Sequence, residues 1–104
     1  MKNILIICAL GMSTSMLVNN MKKYAESENI AININAMAIS EAKDIIIRNG
    51  ADVVMLGPQV RYQKQEIEKL ALGNIPVEVI DMASYGRMDG KSVLHRALQL
   101  MAER

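Results

Sequence analysis

Apolar residues along this 104-residue chain occur in two alternating patterns, short continuous runs and stripes spaced three or four residues apart. The first run, Asn3–Ile7, is rich in isoleucine and is typical of a strand covered on both faces of a sheet. Between residues 13 and 28 the apolar positions follow helical spacing instead: Leu17, Met21 and Tyr24. This stretch predicts an amphipathic helix whose first turn is capped by Ser13 or Thr14.

The same alternation continues through the middle of the chain. Every second residue from 30 to 34 is isoleucine, with smaller or polar residues between them, which predicts a half-exposed edge strand. A second helix is predicted over residues 40–48, with Ser40 as its cap and Asn49-Gly50 at its end, where a positive φ is tolerated. The apolar run Asp52–Leu56 then predicts a third strand.

The last part of the chain repeats the pattern twice more. A helix is predicted over roughly residues 61–72, ending at Gly73-Asn74, and a fourth strand over residues 77–80. After a loop through Gly86, Asp89 is predicted to cap a final helix. The apolar face of that helix comprises four residues: Leu94, Ala97, Leu98 and Met101.

Four strands that alternate with four helices predict an α/β fold with a parallel sheet, because parallel neighbours need right-handed helical crossovers. We expect the doubly wound strand order 2-1-3-4 with helices on both faces, as in flavodoxin-like and phosphatase-like proteins. The sequence contains no linker or low-complexity stretch, and its length suits one domain over residues 1–104.

Composition and charge exclude several classes of protein. Twelve Lys and Arg residues face eleven Asp and Glu residues with no run of either sign, which counts against a nucleic-acid partner. The single cysteine cannot form an internal disulfide, which favours a reducing compartment. The apolar run after Lys2 is shorter than the roughly 18 residues that a membrane span needs. The sequence therefore predicts a cytoplasmic protein that does not insert into a membrane.

The loop after the first strand carries the strongest candidate chemistry. Ligands of open α/β sheets bind at the carboxyl ends of the strands, and Cys8 stands at such an end. The residues that follow it lead into a helix: Ala9, Leu10, Gly11, Met12, Ser13, Thr14 and Ser15. Their backbone amides and the helix N-terminus could bind an anion, and the same field favours the nucleophilic thiolate. A thiolate in such a loop can accept and hold a phosphoryl group.

Three other readings of this loop stay open on the residues alone. Cys8 could be a small buried hydrophobic residue beside an ordinary helix cap. A low-molecular-weight cysteine phosphatase or arsenate reductase would instead need C-x5-R, and Thr14 stands where that arginine belongs. A non-catalytic module for a nucleotide or flavin would be expected to carry a glycine-rich phosphate loop, and neither G-x-G-x-x-G nor a Walker motif follows the strand.

Residues outside this loop are weaker candidates. Gln59 follows the third strand and Tyr85 follows the fourth, so either could line the same site, although turn chemistry or packing explains each equally well. His95 lies within the predicted last helix and needs no special role. No cluster of metal-ligating residues stands out.

The chain resembles a known family, the cytoplasmic IIB component of the bacterial sugar phosphotransferase system of the lactose/cellobiose (chitobiose) type. The resemblance rests first on Cys8-x-x-Gly11-Met12-Ser13-Thr14-Ser15, which looks like that family's phosphorylation loop. It continues in order along the chain: Gly57-Pro58-Gln59, Pro76 to Asp81, Tyr85-Gly86 and Met88-Asp89-Gly90. Leu10 departs from the pattern, because many relatives are expected to have a small residue there.

The resemblance implies a phosphoryl relay. A phosphohistidine on a IIA protein would pass its phosphoryl group to Cys8, and the phosphocysteine would pass it to a sugar held by the membrane component IIC. By match to the motif, the amides from Ala9 to Ser15 would surround the phosphoryl group. No metal or organic cofactor is implied, and the sugar would be reached only through IIC.

Overall fold

The structure is a computed structural model that describes residues 1–9 and 12–103. Its strands are β1 (Lys2–Ile7), β2 (Ile32–Met37), β3 (Val53–Leu56) and β4 (Val77–Val79). Its α-helices are α1 (Met12–Ser27), α2 (Ile39–Ile47), α3 (Lys64–Ala71), α4 (Met82–Gly86) and α5 (Gly90–Ala102). A 3-10 helix, Pro58–Gln63, leads directly into α3.

The four strands form one parallel sheet in the order β2-β1-β3-β4, which confirms the predicted topology. Ile7 pairs with both Met37 and Leu56, and Leu56 pairs with Val79, so all four strands end at the same edge. The segments that follow β1, β3 and β4 therefore begin side by side at this carboxyl edge.

Two hydrophobic clusters cover the two faces of the sheet. Alternate residues of β1 point to opposite faces, so Ile4 and Ile6 join one cluster while Leu5 and Ile7 join the other. The first cluster contains residues of α1 and α5, and the second contains residues of α2 and α3. The prediction of helices on both faces is confirmed.

The two helices of the first face are in close contact at Gly90. A β-carbon at this position would lie 2.5 Å from the backbone nitrogen of Met21 and 2.6 Å from the carbonyl carbon of Asn20. Only glycine allows α5 to begin this close to the backbone of α1. The amide of Asn20 strengthens the junction by donating to the Met88 carbonyl over 2.9 Å.

The second strand begins later than its isoleucine pattern predicts. Asn29 ends α1 with φ of 55°, and the Ile30 amide donates to the Ala25 carbonyl over 2.8 Å. These features close the helix C-terminus, so Ile30 belongs to the helix end and the strand begins at Ile32. The predicted end of the second helix is confirmed, because Asn49 has φ of 56°.

Helix starts were predicted less well than helix ends. Asp89 does cap α5, since its carboxylate accepts from the Ser92 amide over 3.1 Å. The prediction for Ser40 was wrong, because α2 begins at Ile39 after Ala38 and has no side-chain cap. Ser13 and Thr14 lie inside the first turn of α1 and not before it. Within the described residues, no helix is both long and apolar enough to cross a membrane.

Candidate active site

Cys8 lies at the carboxyl edge of the sheet, directly after the central strand β1. Its amide donates to the Met37 carbonyl over 3.2 Å, and the Gly57 amide donates to the Ile7 carbonyl over 2.8 Å. These bonds continue the pairing of β1 with both of its neighbours. They hold the cysteine backbone between two strands, where the residue is only 3% exposed.

The loop predicted to bind phosphate leads from Cys8 into α1. Ala9 is exposed, Leu10 and Gly11 lie outside the described residues, and the helix backbone begins at Met12. Ser15 is exposed on the first turn. The first turn of a helix presents amides without intrahelical partners and a partial positive charge. The N-terminus of α1, at Met12, thus follows Cys8 by four positions in the chain.

Thr14 and Tyr85 are joined by a buried hydrogen bond. Their hydroxyl oxygens lie 2.7 Å apart, and the two residues are 3% and 8% exposed. This contact connects the first turn of α1 with α4, across 71 positions of sequence. The hydroxyl of Thr14, at the position where a phosphatase would carry arginine, is therefore tied to a neutral phenol.

Gly57 lies at the centre of the site residues. A β-carbon on Gly57 would lie 3.7 Å from the Cys8 Cβ, 3.6 Å from Tyr85 Cε1 and 3.3 Å from Gln59 Oε1. The three side chains that the sequence analysis selected after β1, β3 and β4 therefore approach one another around this glycine. The absence of a side chain at Gly57 leaves the space between them open.

A cleft of about 290 Å³ opens beside this cluster. Six residues line it: Pro58, Gln59, Arg61, Met82, Tyr85 and Gly86. Met82, which begins α4, is 63% exposed. Two larger cavities, of about 520 and 500 Å³, lie around Gly73–Pro76 and along β4, and Cys8 lines neither of them.

The sequence of this chain matches a known protein family over residues 3–96, described as "PTS system, Lactose/Cellobiose specific IIB subunit". The chain belongs to this family. It is therefore a phosphotransferase component and a phosphocarrier in sugar uptake, and nothing in the comparisons favours a phosphatase.

Curated relatives and solved structures cover nearly the whole IIB chain. The oligo-beta-mannoside-specific EIIB component of Bacillus subtilis (strain 168) is 47% identical over 97% of both chains. The galactose-specific EIIB component of Lactococcus lactis subsp. cremoris (strain MG1363) is 39% identical over 96% of both.

The solution structure of the cellobiose-specific IIB component of Borrelia burgdorferi is 40% identical, covers 98% of this chain and 93% of its own, and superposes with a TM-score of 0.81. The lactose-specific IIB domain of Streptococcus pneumoniae is 22% identical and covers 95% and 96% of the two chains, with a TM-score of 0.82, which shows the same fold.

Helix α4 is the element of this IIB protein that the sequence analysis missed, and it positions Tyr85. Its N-cap is Asp81, whose carboxylate accepts from the Ser84 amide over 3.0 Å and from the Ser84 hydroxyl over 3.2 Å. The signal was present in the sequence, because aspartate is a favoured N-cap residue and Asp81 follows directly after the fourth strand. The brevity of α4, five residues, hid it among loop residues.

The weaker candidates lie away from Cys8 or on the surface. His95 Nε2 lies 3.0 Å from the Tyr24 hydroxyl, on the contact between α1 and α5. Arg87 is exposed and pairs with Asp89 at 3.5 Å. Met16, on the second turn of α1, is 49% exposed. Among the described residues, no three His, Cys, Asp or Glu side chains are grouped so that they could hold a metal ion.

Proposed function

We propose that Cys8 is the residue of this phosphocarrier that accepts and transfers the phosphoryl group. The observation that carries the proposal is the place of Cys8 between the end of β1 and the N-terminus of α1, in a chain of the IIB family. No other cysteine exists in the chain, and its single histidine is engaged with Tyr24 on a different surface.

The chemistry is two successive displacements at phosphorus. In the first, the Cys8 thiol loses its proton to solvent, and the thiolate forms an S–P bond as the N–P bond of a phosphohistidine on a IIA protein breaks. The histidine nitrogen keeps the bonding electron pair, and its ring takes up a proton from solvent to leave as neutral imidazole. In the second, a sugar hydroxyl oxygen forms a bond to phosphorus, the S–P bond breaks, and the thiolate is regenerated. The hydroxyl proton passes to solvent.

We propose that backbone amides from Ala9 to Ser15 surround the phosphoryl group on Cys8. Hydroxyls of the same segment would add donors: Ser13, Thr14 and Ser15. The N-terminus of α1 supports this role, because its unpaired amides and its dipole favour a dianion. A metal ion is not required, since these neutral donors and the helix field stabilise the charge of the transferred group.

Gln59 and Tyr85 are proposed as accessory residues of the same site. Both lie close to the open space at Gly57, which Cys8 also borders. The Gln59 amide could donate to a phosphoryl oxygen or to a partner protein, because its residue is exposed at the rim of the cleft. Tyr85 is buried and contacts Thr14, so its part in the site runs through that residue.

The proposed partners are a IIA phosphocarrier protein and a membrane IIC component, with the sugar reached only through IIC. The chain would work in the cytoplasm as one IIB domain over residues 1–104 and dock at the inner face of the membrane. The relatives named above differ in the sugar of their names, oligo-beta-mannoside and galactose, yet align over nearly their whole length. This supports the assignment of sugar selection to IIC.

Intact mass spectrometry after incubation with phosphorylated IIA tests the proposal. The native chain is expected to gain one phosphoryl group, and Cys8→Ser is expected to gain none under the same conditions. Loss of the added group on transfer to IIC and sugar would complete the relay. Labelling of Cys8→Ser to the native level would contradict the assignment of Cys8. Rapid release of inorganic phosphate from the native chain alone would favour the cysteine phosphatase alternative.

A further inference from the structure

We infer that Tyr85 is a positioning residue for phosphoryl transfer and that it acts through the hydroxyl of Thr14. The inference rests on the proposed function, because it needs a phosphoryl group on Cys8. The Thr14–Tyr85 hydrogen bond, which joins α1 to α4, would then serve phosphoryl transfer as well as the stability of the fold.

The first support is the burial of the Thr14–Tyr85 pair. Apart from Tyr85 itself, Thr14 is the only buried polar residue among those whose burial the structure describes. Burying a hydroxyl is costly unless it is hydrogen-bonded, and the 2.7 Å contact satisfies it. A valine of the same shape would fill this space without the cost. The two hydroxyls satisfy each other, and one of their two protons is not used by their mutual hydrogen bond.

The second support is the count of protons in the pair. Two hydroxyls carry two protons, and their mutual hydrogen bond uses one of them. The 2.7 Å contact allows either hydroxyl to donate, and we take Tyr85 as the donor and the Thr14 oxygen as the acceptor, because a phenol is a better donor than an aliphatic alcohol. In that arrangement the Thr14 proton remains for a further acceptor, which we propose is an oxygen of the phosphoryl group on Cys8. Neither hydroxyl makes a second hydrogen bond within the described part of the chain.

The third support is where the Thr14 proton can go. Thr14 is the third residue of α1, on the helix turn that follows the Cys8 loop. The ring edge of Tyr85 and the β-carbon of Cys8 both lie within 4 Å of the point that a Gly57 β-carbon would occupy. The Tyr85 ring therefore borders the same space as Cys8, and Thr14 is hydrogen-bonded to that ring's hydroxyl. The proposed role of Thr14 is to donate to an oxygen of a phosphoryl group on Cys8.

Tyr85 is itself held firmly enough to orient a neighbour. The Asp81 cap fixes the start of α4, and the Tyr85 amide donates to the Asp81 carbonyl over 2.9 Å. The ring belongs to the hydrophobic cluster on the α1 face of the sheet. Without Tyr85, the Thr14 hydroxyl would be free to turn toward its own helix backbone, as threonine hydroxyls in helices do.

A double-mutant cycle tests this assignment: Tyr85→Phe, Thr14→Val and the two combined, with Thr14→Ser as the conservative replacement. The rate of phosphoryl acceptance from phosphorylated IIA is measured for each, together with the ³¹P chemical shift of the phosphocysteine and the thermal unfolding curve. Tyr24→Phe is the matched control, because it also removes a hydrogen-bonded tyrosine hydroxyl, the one facing His95.

We expect Tyr85→Phe and Thr14→Val each to slow acceptance about tenfold, the effect of losing one oriented hydrogen bond. The combined variant should be no slower than Thr14→Val, because Tyr85 acts only through Thr14. Thr14→Ser should keep a near-native rate, and Tyr24→Phe should match the native rate and ³¹P shift. The phosphocysteine resonance should move in Tyr85→Phe.

Native rates in Tyr85→Phe, or full additivity in the combined variant, would overturn the inference. If Tyr85→Phe does not fold, Thr14→Val and Thr14→Ser still decide it, since equal rates in those two variants overturn it as well. Failure of the native chain to accept any phosphoryl group would instead refute the proposed function, and this result is visible before any variant is made.

Discussion

Gly57 keeps the centre of the candidate site open without any need for unusual backbone angles. Its φ of −61° and ψ of 146° suit any residue, so the reason for glycine at this position is space. An added methyl group would meet the Gln59 side-chain oxygen at 3.3 Å, while the Cys8 and Tyr85 carbons would lie at ordinary contact distance. The crowding therefore falls on one flexible, exposed side chain.

We predict that Gly57→Ala folds normally but accepts the phosphoryl group several-fold more slowly. Alanine restricts the unfolded chain, so the free energy of unfolding should stay within about 1 kcal/mol of the native value. The displaced Gln59 and the added methyl group would narrow the approach to Cys8. Chemical denaturation and the phosphorylation rate are to be measured on the same samples.

Gly86→Ala provides the matched control for this substitution. Gly86 also borders the cleft, but a β-carbon there would meet nothing within 4 Å. Its phosphorylation rate should equal that of the native chain. Equal slowing in both variants would mean that crowding at Gly57 is not the cause.

At the scale of elements, the contact between α1 and α5 depends on Gly90. The α5 backbone approaches α1 so closely that a methyl group would overlap main-chain atoms of Asn20 and Met21, which cannot move aside as a side chain can. Substitution must therefore separate the two helices or tilt α5.

We predict that Gly90→Ala lowers the free energy of unfolding by about 1–3 kcal/mol, the usual cost of overpacking, or by more. Gly86→Ala again serves as the control and should be neutral or slightly stabilising. Urea denaturation followed by circular dichroism measures both. A Gly90→Ala variant as stable as the native chain would show that α5 does not need this contact.

The N-cap of α5, Asp89, makes the stability of the molecule depend on pH in the acid range. Hydrogen bonds from the Ser92 amide and hydroxyl, with Arg87 nearby, hold the pKa of Asp89 below its ordinary value. The folded chain therefore binds this proton less readily than the unfolded chain. The stabilisation that ionised Asp89 gives to the folded state is fully present above its ordinary pKa of about 4. It is lost as the pH falls through the lower pKa that Asp89 has in the folded chain.

We predict that Asp89→Asn reduces the fall in Tm on acidification, because asparagine caps a helix without titrating. Thermal unfolding between about pH 2.5 and pH 6 should show native and variant curves converging toward the acid end. Identical pH profiles for the native chain and Asp89→Asn would contradict the role given to Asp89.

Sequence patterns predicted the elements of this fold well where apolar positions recur at a regular spacing. They predicted poorly the places where a few local hydrogen bonds determine how a helix begins or ends. β1 and the amphipathic helix α1 were evident because their apolar positions recur over many residues. Ile30 was misplaced because an isoleucine that packs against a helix end resembles one in a strand. Helix α4 was missed because five residues are too few to show a period.

In the molecule as a whole, the candidate site lies at the carboxyl edge of the sheet, while the two hydrophobic clusters on the faces of the sheet stabilise the fold. Strand polarity accounts for this division, since β1, β3 and β4 all end at the edge of the sheet where Cys8 lies. The same polarity made Gln59 and Tyr85 candidates from sequence. The Thr14–Tyr85 bond could not be foreseen, because it depends on side-chain directions across two elements that are distant in sequence.

Three exposed apolar residues belong to segments that follow strands ending at this edge, where the proposed IIA partner would dock: Met16, Tyr62 and Met82. Three others lie elsewhere: Met1, Ile47 and Leu72. Met82 begins α4 after β4, Tyr62 is the fifth residue of the 3-10 helix after β3, and Met16 lies on the second turn of α1. Methionine side chains are flexible and suit contacts with more than one partner. A charge placed among them should weaken docking without affecting the core.

We predict that Met82→Glu raises the KM for phosphorylated IIA about tenfold while the unfolding curve stays native. Ile47→Glu is the matched control, because Ile47 is comparably exposed but lies at the far end of α2. Steady-state phosphorylation at several IIA concentrations separates KM from kcat. An effect of equal size in Ile47→Glu would place the docking surface elsewhere.

The contact of α5 with α1 has a consequence for how the protein is made. Cys8 and α1 are synthesised before α4 and α5. The backbone of α1 can therefore contact Gly90, and the Thr14 hydroxyl can bond to Tyr85, only after that later segment has been made. A nascent chain stalled before α4 would carry its cysteine on an unfinished sheet edge. Full speed in accepting a phosphoryl group therefore requires that the segment containing α4 and α5 has been made and has packed against α1.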